Sequence, residues 1–171
     1  MSTAKVIITL DCPKNCLYCH TQQMTEYQAI DTLDNLLNYD KILIIGGEPL
    51  LYPKKLIRFF TELGTLGYQG DYFLYSSLYC KDLISIIDFV NGLHFTIPYE
   101  ATDYDIISLK HLSKDLKHIE NKSFKLTIDS RLYQKYDFSN IDFSCWNVVK
   151  KEIWQQKQSN RDEKLFYLKG W

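Results

Sequence analysis

Three cysteines, Cys12, Cys16 and Cys19, lie close together near the start of the chain. Their spacing, with three and then two intervening residues, lets one loop wrap three thiolates around a single centre. Thiolates are soft ligands, which favour zinc, copper(I) or an iron–sulfur cluster over hard cations. The pattern therefore predicts a metal site, and taken alone it leaves the metal open.

A second motif follows the apolar run at residues 41–45, which ends in Gly46, Gly47, Glu48 and Pro49. Alone, this tetrapeptide is at least as typical of an ordinary strand-to-helix turn. A Cys-x-x-x-Cys-x-x-Cys motif followed by a strand ending in Gly-Gly-Glu-Pro, however, resembles the radical SAM superfamily. The aromatic Tyr18 directly before the last cysteine is also typical of that family.

The resemblance implies a [4Fe-4S] cluster bound by Cys12, Cys16 and Cys19. Four cysteine ligands would saturate the cluster, whereas three leave one iron open. In the family that iron is chelated by S-adenosylmethionine (SAM), whose reductive cleavage gives methionine and a 5'-deoxyadenosyl radical that abstracts hydrogen from a substrate. The cofactor then supplies the difficult chemistry, and the protein supplies orientation, a low cluster potential and exclusion of water.

The resemblance also suggests which residues contact SAM. Tyr18 is expected beside the adenine, and residues 46–49 form the main SAM-binding turn, where glycines permit close approach. Further candidates are Ser76 and Ser77 at the end of the third predicted strand and Glu100 after the fourth. Around the fifth predicted strand, Lys125, Thr127 and Arg131 could pair with the carboxylate of SAM. For these further candidates, strand packing or a surface role is an equal alternative.

Two other readings of the cysteines remain. Zinc accepts three cysteines plus a histidine such as His20, although adjacent Cys19 and His20 cannot easily reach one tetrahedral centre. Residues 16–20 also match a c-type haem attachment sequence. That reading leaves Cys12 and the Gly-Gly-Glu-Pro turn unexplained. The alternative of another class is thus a non-catalytic iron–sulfur or zinc module.

Hydrophobic periodicity indicates an α/β fold in which strands alternate with helices around a parallel sheet. Strands are predicted at about 5–10, 41–45, 72–75, 93–97, 124–128 and 143–148. Helices are predicted after Asp31, over about 56–63 with an end at Gly64 or Gly67, and over about 81–90 and 104–119. A complete eight-unit barrel needs about 250 residues. The family resemblance implies a partial, open TIM-like barrel of about (β/α)6, with both motifs at the C-terminal ends of strands.

Composition narrows the class of protein. With 171 residues, 46% hydrophobic and 24% charged, the chain fits one globular domain spanning residues 1–171. A net charge of -1 gives no strong signal for nucleic acid, and no apolar run is long enough to cross a membrane. The N-terminus lacks the pattern of a signal peptide, so a cytoplasmic protein with reduced thiols is expected.

The sequence leaves the substrate undetermined. Small radical SAM relatives of this length include the activases that place a glycyl radical on a partner protein, which favours a protein substrate. Modification of a small molecule, nucleoside or peptide is the alternative. Either reaction requires a reducing partner that resembles flavodoxin or ferredoxin.

Overall fold

Strands and helices alternate along the chain. The computed structural model describes residues 2–14, 16, 17, 19, 21, 26–153 and 163–171. The strands in this part of the chain are β1 Thr3–Ile7, β2 Gln28–Ile30, β3 Lys41–Ile45, β4 Asp71–Ser76, β5 Gly92–Ile97, β6 Ser123–Asp129, β7 Asn147–Lys151 and β8 Glu163–Leu168. The α-helices are α1 Pro53–Thr65, α2 Leu83–Ile87 and α3 Asp103–Leu116, and 3₁₀ turns cover Asp34–Leu36, Pro49–Leu51 and Ser130–Gln134.

Within the described residues, the eight strands form one open sheet in the order β2-β8-β1-β3-β4-β5-β6-β7. Every neighbouring pair runs parallel. The predicted α/β class with a parallel sheet is therefore confirmed. Because all strands point the same way, their C-terminal ends meet at one edge of the sheet.

The helices cover one face of the sheet. Side chains alternate between the two faces of a strand, and one alternate set packs with the buried helix residues in a single apolar core. That core includes Ala4, Val6, Ile42, Ile44, Leu74, Leu93, Phe95, Leu126 and Ile128 from the strands, and Leu56, Phe59, Leu63, Ile86, Leu109 and Leu112 from the helices. Burying each such side chain contributes about 1.5–3 kcal/mol.

The other alternate set forms what we call the helix-free face. Ile7 and Ile45 belong to it, and although both are buried they lie outside the core beneath the helices. Farther along the sheet this face carries Tyr75, His94 and Lys125, which are register neighbours on β4, β5 and β6. The helix-free face thus carries apolar side chains at the C-terminal ends of β1 and β3, where Ile7 and Ile45 lie, and polar side chains towards β7.

Several element boundaries differ from the predictions. The helix expected after Asp31 is only the 3₁₀ turn at Asp34–Leu36, preceded by Leu33. One buried residue in that turn, Leu36, gives it too little apolar surface for a longer helix. The last predicted core strand begins at Asn147, four residues later than expected, because the chain from Phe143 to Trp146 forms a turn closed by a backbone hydrogen bond.

The sequence pattern also misses two strands. β2 has three residues, too few for an alternating pattern to emerge. β8 includes the aromatic residues Phe166 and Tyr167 and lies between β1 and β2. No helix within the described ranges is long and apolar enough to cross a membrane.

Candidate metal and cofactor site

Backbone hydrogen bonds fasten the Gly-Gly-Glu-Pro turn to the segment just before Cys12. The pairing of β1 and β3 continues beyond both strand ends, where Gly47 N donates to Thr9 O at 2.8 Å. One step later, Glu48 N donates to Asp11 O at 2.7 Å. The two sequence motifs therefore meet at the C-terminal edge of the sheet.

This close approach requires both glycines. A Cβ atom on Gly47 would lie 2.1 Å from Asp11 O, and one on Gly46 would lie 2.4 Å from Thr9 O. Both neighbours are backbone atoms, which cannot rotate away. Gly46 also has a φ of 137°, in a region that favours glycine. The glycines thus bring the turn against the start of the cysteine loop.

Contacts from three directions hold the cysteine loop, residues 12–19. Leu17 N donates to Glu100 Oε1 at 2.7 Å, just after β5. Lys14 Nζ pairs with Asp105 Oδ1 at 2.8 Å in the first turn of α3, and both side chains are only 14% exposed. Beyond the loop, the Thr21 hydroxyl donates to the carbonyl of Gly46. The Gly-Gly-Glu-Pro turn, the segment after β5 and the first turn of α3 therefore all position the cysteine loop.

All five cysteines lie within the described residues and are free thiols. Burial raises the pKa of Cys16 to about 11, with further contributions from Glu100 and from Cys12. Burial also raises the pKa of Cys12, and the charges of Glu48 and Cys19 add to this. The thiols of Cys12 and Cys16 thus favour their protonated form. A metal would have to displace protons from them, because thiolate is the ligating form.

The donor set fits a soft metal centre by its chemistry. Within the described part of the chain, however, no group of three or more His, Cys, Asp or Glu side chains is gathered tightly enough to hold a metal ion. The three thiols are neighbours on one loop rather than a finished ligand set. Metal binding would therefore require the loop to draw its sulfur atoms together.

Glu48 joins the ends of β3 and β4. Its side chain is 1% exposed, and its carboxylate accepts from Ser76 Oγ at 2.7 Å and from Ser77 N at 2.9 Å. Leu50 N donates to the same carboxylate at 3.2 Å. Burial raises the pKa of Glu48, and these hydrogen bonds offset the effect only in part. The carboxylate is therefore a buried connector between strand ends.

The structure brings most of the predicted site residues together. Ser76 and Ser77 meet Glu48, and Glu100 meets the cysteine loop. Pro49 is buried and begins the 3₁₀ turn after the glycines. Tyr18 and His20 lie outside the described residues.

Other predicted contacts are already occupied. Arg131 donates to Asp129 through two nitrogens, at 2.8 and 2.7 Å, and stacks over the Tyr99 ring at 4.1 Å. Thr127 Oγ1 lies 2.8 Å from His94 Nε2. These pairings give Arg131 and Thr127 structural roles in the sheet.

Sequence reasoning missed the residues that anchor the cysteine loop. Asp105 both receives Lys14 and completes a capping box with Thr102 at the start of α3. The Thr-x-x-Asp spacing is a recognisable helix start, but Lys14 and Asp105 are 91 residues apart in the sequence, so their partnership leaves no local signal. A cavity of about 600 Å³ lies away from the cysteine loop and is lined by residues 133–139, Phe143 and Lys150.

Comparison with known proteins adds nothing to the geometry: no protein-family model matches this sequence, and no curated protein matches it significantly.

Proposed function

We propose that this chain is a radical SAM enzyme. Cys12, Cys16 and Cys19 would hold a [4Fe-4S] cluster, and Gly46 to Pro49 would form the SAM-binding turn. When bound, the cluster and SAM would supply reductive cleavage of a carbon–sulfur bond and a 5'-deoxyadenosyl radical that abstracts hydrogen. The sheet strands β1, β3, β4, β5, β6 and β7 would correspond to a (β/α)6 partial barrel.

One observation carries the proposal. The turn at Gly46–Glu48 and the residue before Cys12 are hydrogen-bonded to each other at the C-terminal edge of the sheet. In barrels built from parallel strands, active sites lie at that edge. A non-catalytic metal-binding loop needs no glycine turn packed against it. A ligand that contacts both the metal and the end of β3 does need such a turn beside the metal-binding loop.

Under this proposal, the residues around the site would have separate roles. Gly46 and Gly47 let the turn pack against the backbone of Thr9 and Asp11, and Glu48 fixes the turn by binding Ser76 and Ser77. Glu100 and Asp105 hold the loop from the opposite side. These contacts would orient SAM and restrict water, which is the protein's part in cofactor chemistry.

The family resemblance favours a protein substrate, as in activases of glycyl radical enzymes. A small molecule, nucleoside or peptide is the other substrate class, and the exposed Lys125 and Lys151 on the helix-free face favour it. In either case a flavodoxin- or ferredoxin-like protein would supply the electron.

Anaerobic reconstitution tests the proposal. The protein is loaded with iron and sulfide, reduced with dithionite and given SAM, and 5'-deoxyadenosine is measured. We expect its formation by the unaltered chain and its loss in Cys16→Ala. The matched control is Cys145→Ala, which removes a thiol that contacts Ser113 O at 3.8 Å on another part of the fold.

Two results would contradict the proposal. The first is that the reconstituted protein forms no more 5'-deoxyadenosine than the Cys16→Ala variant does. The other is stoichiometric zinc without sulfide in anaerobically purified protein, which would favour a structural zinc module.

A further inference from the structure

Basic side chains from three adjacent strands converge on the helix-free face. His94 on β5 pairs in register with Lys125 on β6, and Lys151 lies on β7 opposite Asp129. Register partners point to the same face, as do residues 125 and 129 along one strand. The three basic groups therefore share one face of the sheet, with His94 and Lys125 in the N-terminal halves of β5 and β6 and Lys151 at the C-terminal end of β7.

His94 has one polar and one aromatic neighbour on this face. His94 is half-buried, lies 2.8 Å from Thr127 Oγ1 and meets the Tyr75 ring edge-on with centroids 4.7 Å apart. Burial, together with the charges of Lys125 and Lys151, lowers the pKa of His94 to about 4. Both lysines are exposed.

The carboxylates of this face do not neutralise the two lysines. On β3 to β7, this face carries Asp71 and Asp129. Asp71 lies at the opposite end of β4, in register with Lys41. Asp129 is occupied by Arg131 and by Ile153 N at 2.9 Å. Among the described residues, no ion pair engages the side chain of Lys125 or Lys151. Lys125 and Lys151 thus lie on one face of the sheet, four register positions apart, and the nearest strand carboxylate, Asp129, already pairs with Arg131.

We propose that Lys125 and Lys151, with His94 and Tyr75 beside them, bind a phosphate group of the substrate. A lysine ammonium binds phosphate as a point charge, and two of them match a dianion. The Tyr75 ring, 36% exposed, offers a flat surface for the rest of such a molecule. The role in catalysis depends on the proposed function, whereas the phosphate site itself does not.

The test uses the anaerobically reconstituted full chain and inorganic pyrophosphate as the probe. Calorimetry is expected to show saturable binding that weakens at least ten-fold in Lys125→Gln/Lys151→Gln. The matched control, Lys110→Gln/Lys114→Gln on α3, removes the same charge from exposed helix positions and is expected to change the affinity less than two-fold. NMR should show the His94 ring resonances shifting on addition of pyrophosphate.

Three results would overturn the phosphate site. The unaltered protein could fail to bind pyrophosphate, or the α3 control could lose as much affinity as the sheet variant. Alternatively, SAM could displace pyrophosphate competitively, in which case the lysines serve the cofactor's carboxylate. Failure of the phosphate site and failure of the proposed function are distinguishable, because the 5'-deoxyadenosine assay needs no phosphate ligand. Pyrophosphate binding without SAM cleavage would contradict the proposed function and leave the phosphate site supported.

Discussion

Glu48 illustrates how one residue can have a role different from the one its motif suggests. The resemblance makes it an acceptor for a ligand, yet in the structure its carboxylate already accepts from Ser76, Ser77 and Leu50. A buried carboxylate requires such partners, because burying an unpaired charge is costly. Its contribution is therefore to hold the glycine turn rigid, while backbone groups of the turn remain for a ligand.

Gly47 gives the sharpest prediction at this scale. In Gly47→Ala the new Cβ would meet the backbone of Asp11, the residue before Cys12, at 2.1 Å. Overpacking of this kind costs about 1–3 kcal/mol, so we expect a loss of roughly 2 kcal/mol in urea unfolding. Formation of 5'-deoxyadenosine should fall as well, because the start of the cysteine loop is displaced.

Gly64→Ala is the matched control. A Cβ there meets no atom within 4 Å, and the position lies inside α1. Alanine is favoured over glycine in a helix by about 0.8–1.0 kcal/mol, so this variant should be slightly more stable and equally active. Equal behaviour of the two variants would mean that the turn tolerates a side chain.

At the scale of elements, Asp129 connects the end of β6 to the chain beyond β7. It is fully buried, binds Arg131 through both oxygens and accepts from Ile153 N. Burial alone would raise the pKa of Asp129, but the hydrogen bonds from Arg131 and Ile153 outweigh it and hold the pKa below 3.8. Folding therefore favours the charged carboxylate.

The contribution of Asp129 to the free energy of unfolding depends on pH. The stability that Asp129 contributes is present at neutral pH and is lost as pH falls below about 4 and through the lowered pKa. In Asp129→Asn, one partner of a buried pair is removed, so urea unfolding at pH 7 should show a loss of about 3 kcal/mol. The difference from the unaltered protein should shrink at pH 3.

Asp34→Asn, in an exposed 3₁₀ turn, is the control. Such surface substitutions usually change stability by less than about 0.5 kcal/mol. A difference between Asp129→Asn and the unaltered protein that stayed constant from pH 7 to pH 3 would argue against a charged Asp129 in the folded state.

The elements that were predictable are those with long, apolar patterns. β3 has the predicted limits because residues 41–45 are continuously apolar after Lys41, and α1 ends near Gly67, whose φ of 86° suits a glycine. The link from Lys14 to Asp105 was not predictable, since it depends on where α3 lies relative to β1. The local sequence pattern thus predicts the strands. The contacts that hold the cysteine loop depend on the tertiary structure and cannot be predicted from that pattern.

At the scale of the whole molecule, β8 determines how the sheet is completed. Lys5 on β1 pairs with Leu165 on β8, and Ala29 on β2 pairs with Tyr167. β2 therefore reaches the sheet only through β8. Phe166, 3% exposed, packs against Tyr39 with ring centroids 5.7 Å apart and secures β8 to the core.

Phe166→Ala tests this dependence. Removing a buried phenylalanine costs about 3–5 kcal/mol, and here it should also loosen β2, which would appear as faster amide hydrogen exchange at residues 28–30. Phe89→Ala serves as the control, because Phe89 is 40% exposed and stacks on Phe60, and its loss should cost only about 1 kcal/mol. Unchanged exchange in β2 of Phe166→Ala would show that β2 does not depend on β8.

The place of β8 between β1 and β2 also fixes an order of events during synthesis. The cysteine loop lies between β1 and β2, so it leaves the ribosome early, while β8 follows nearly all of the described chain. At 5–20 residues per second, the delay is on the order of ten seconds. Throughout it, β1 has an unpaired edge and the nascent thiols stand outside a finished sheet. The thiols of newly made chains would therefore be most accessible to oxidation before β8 is added to the sheet.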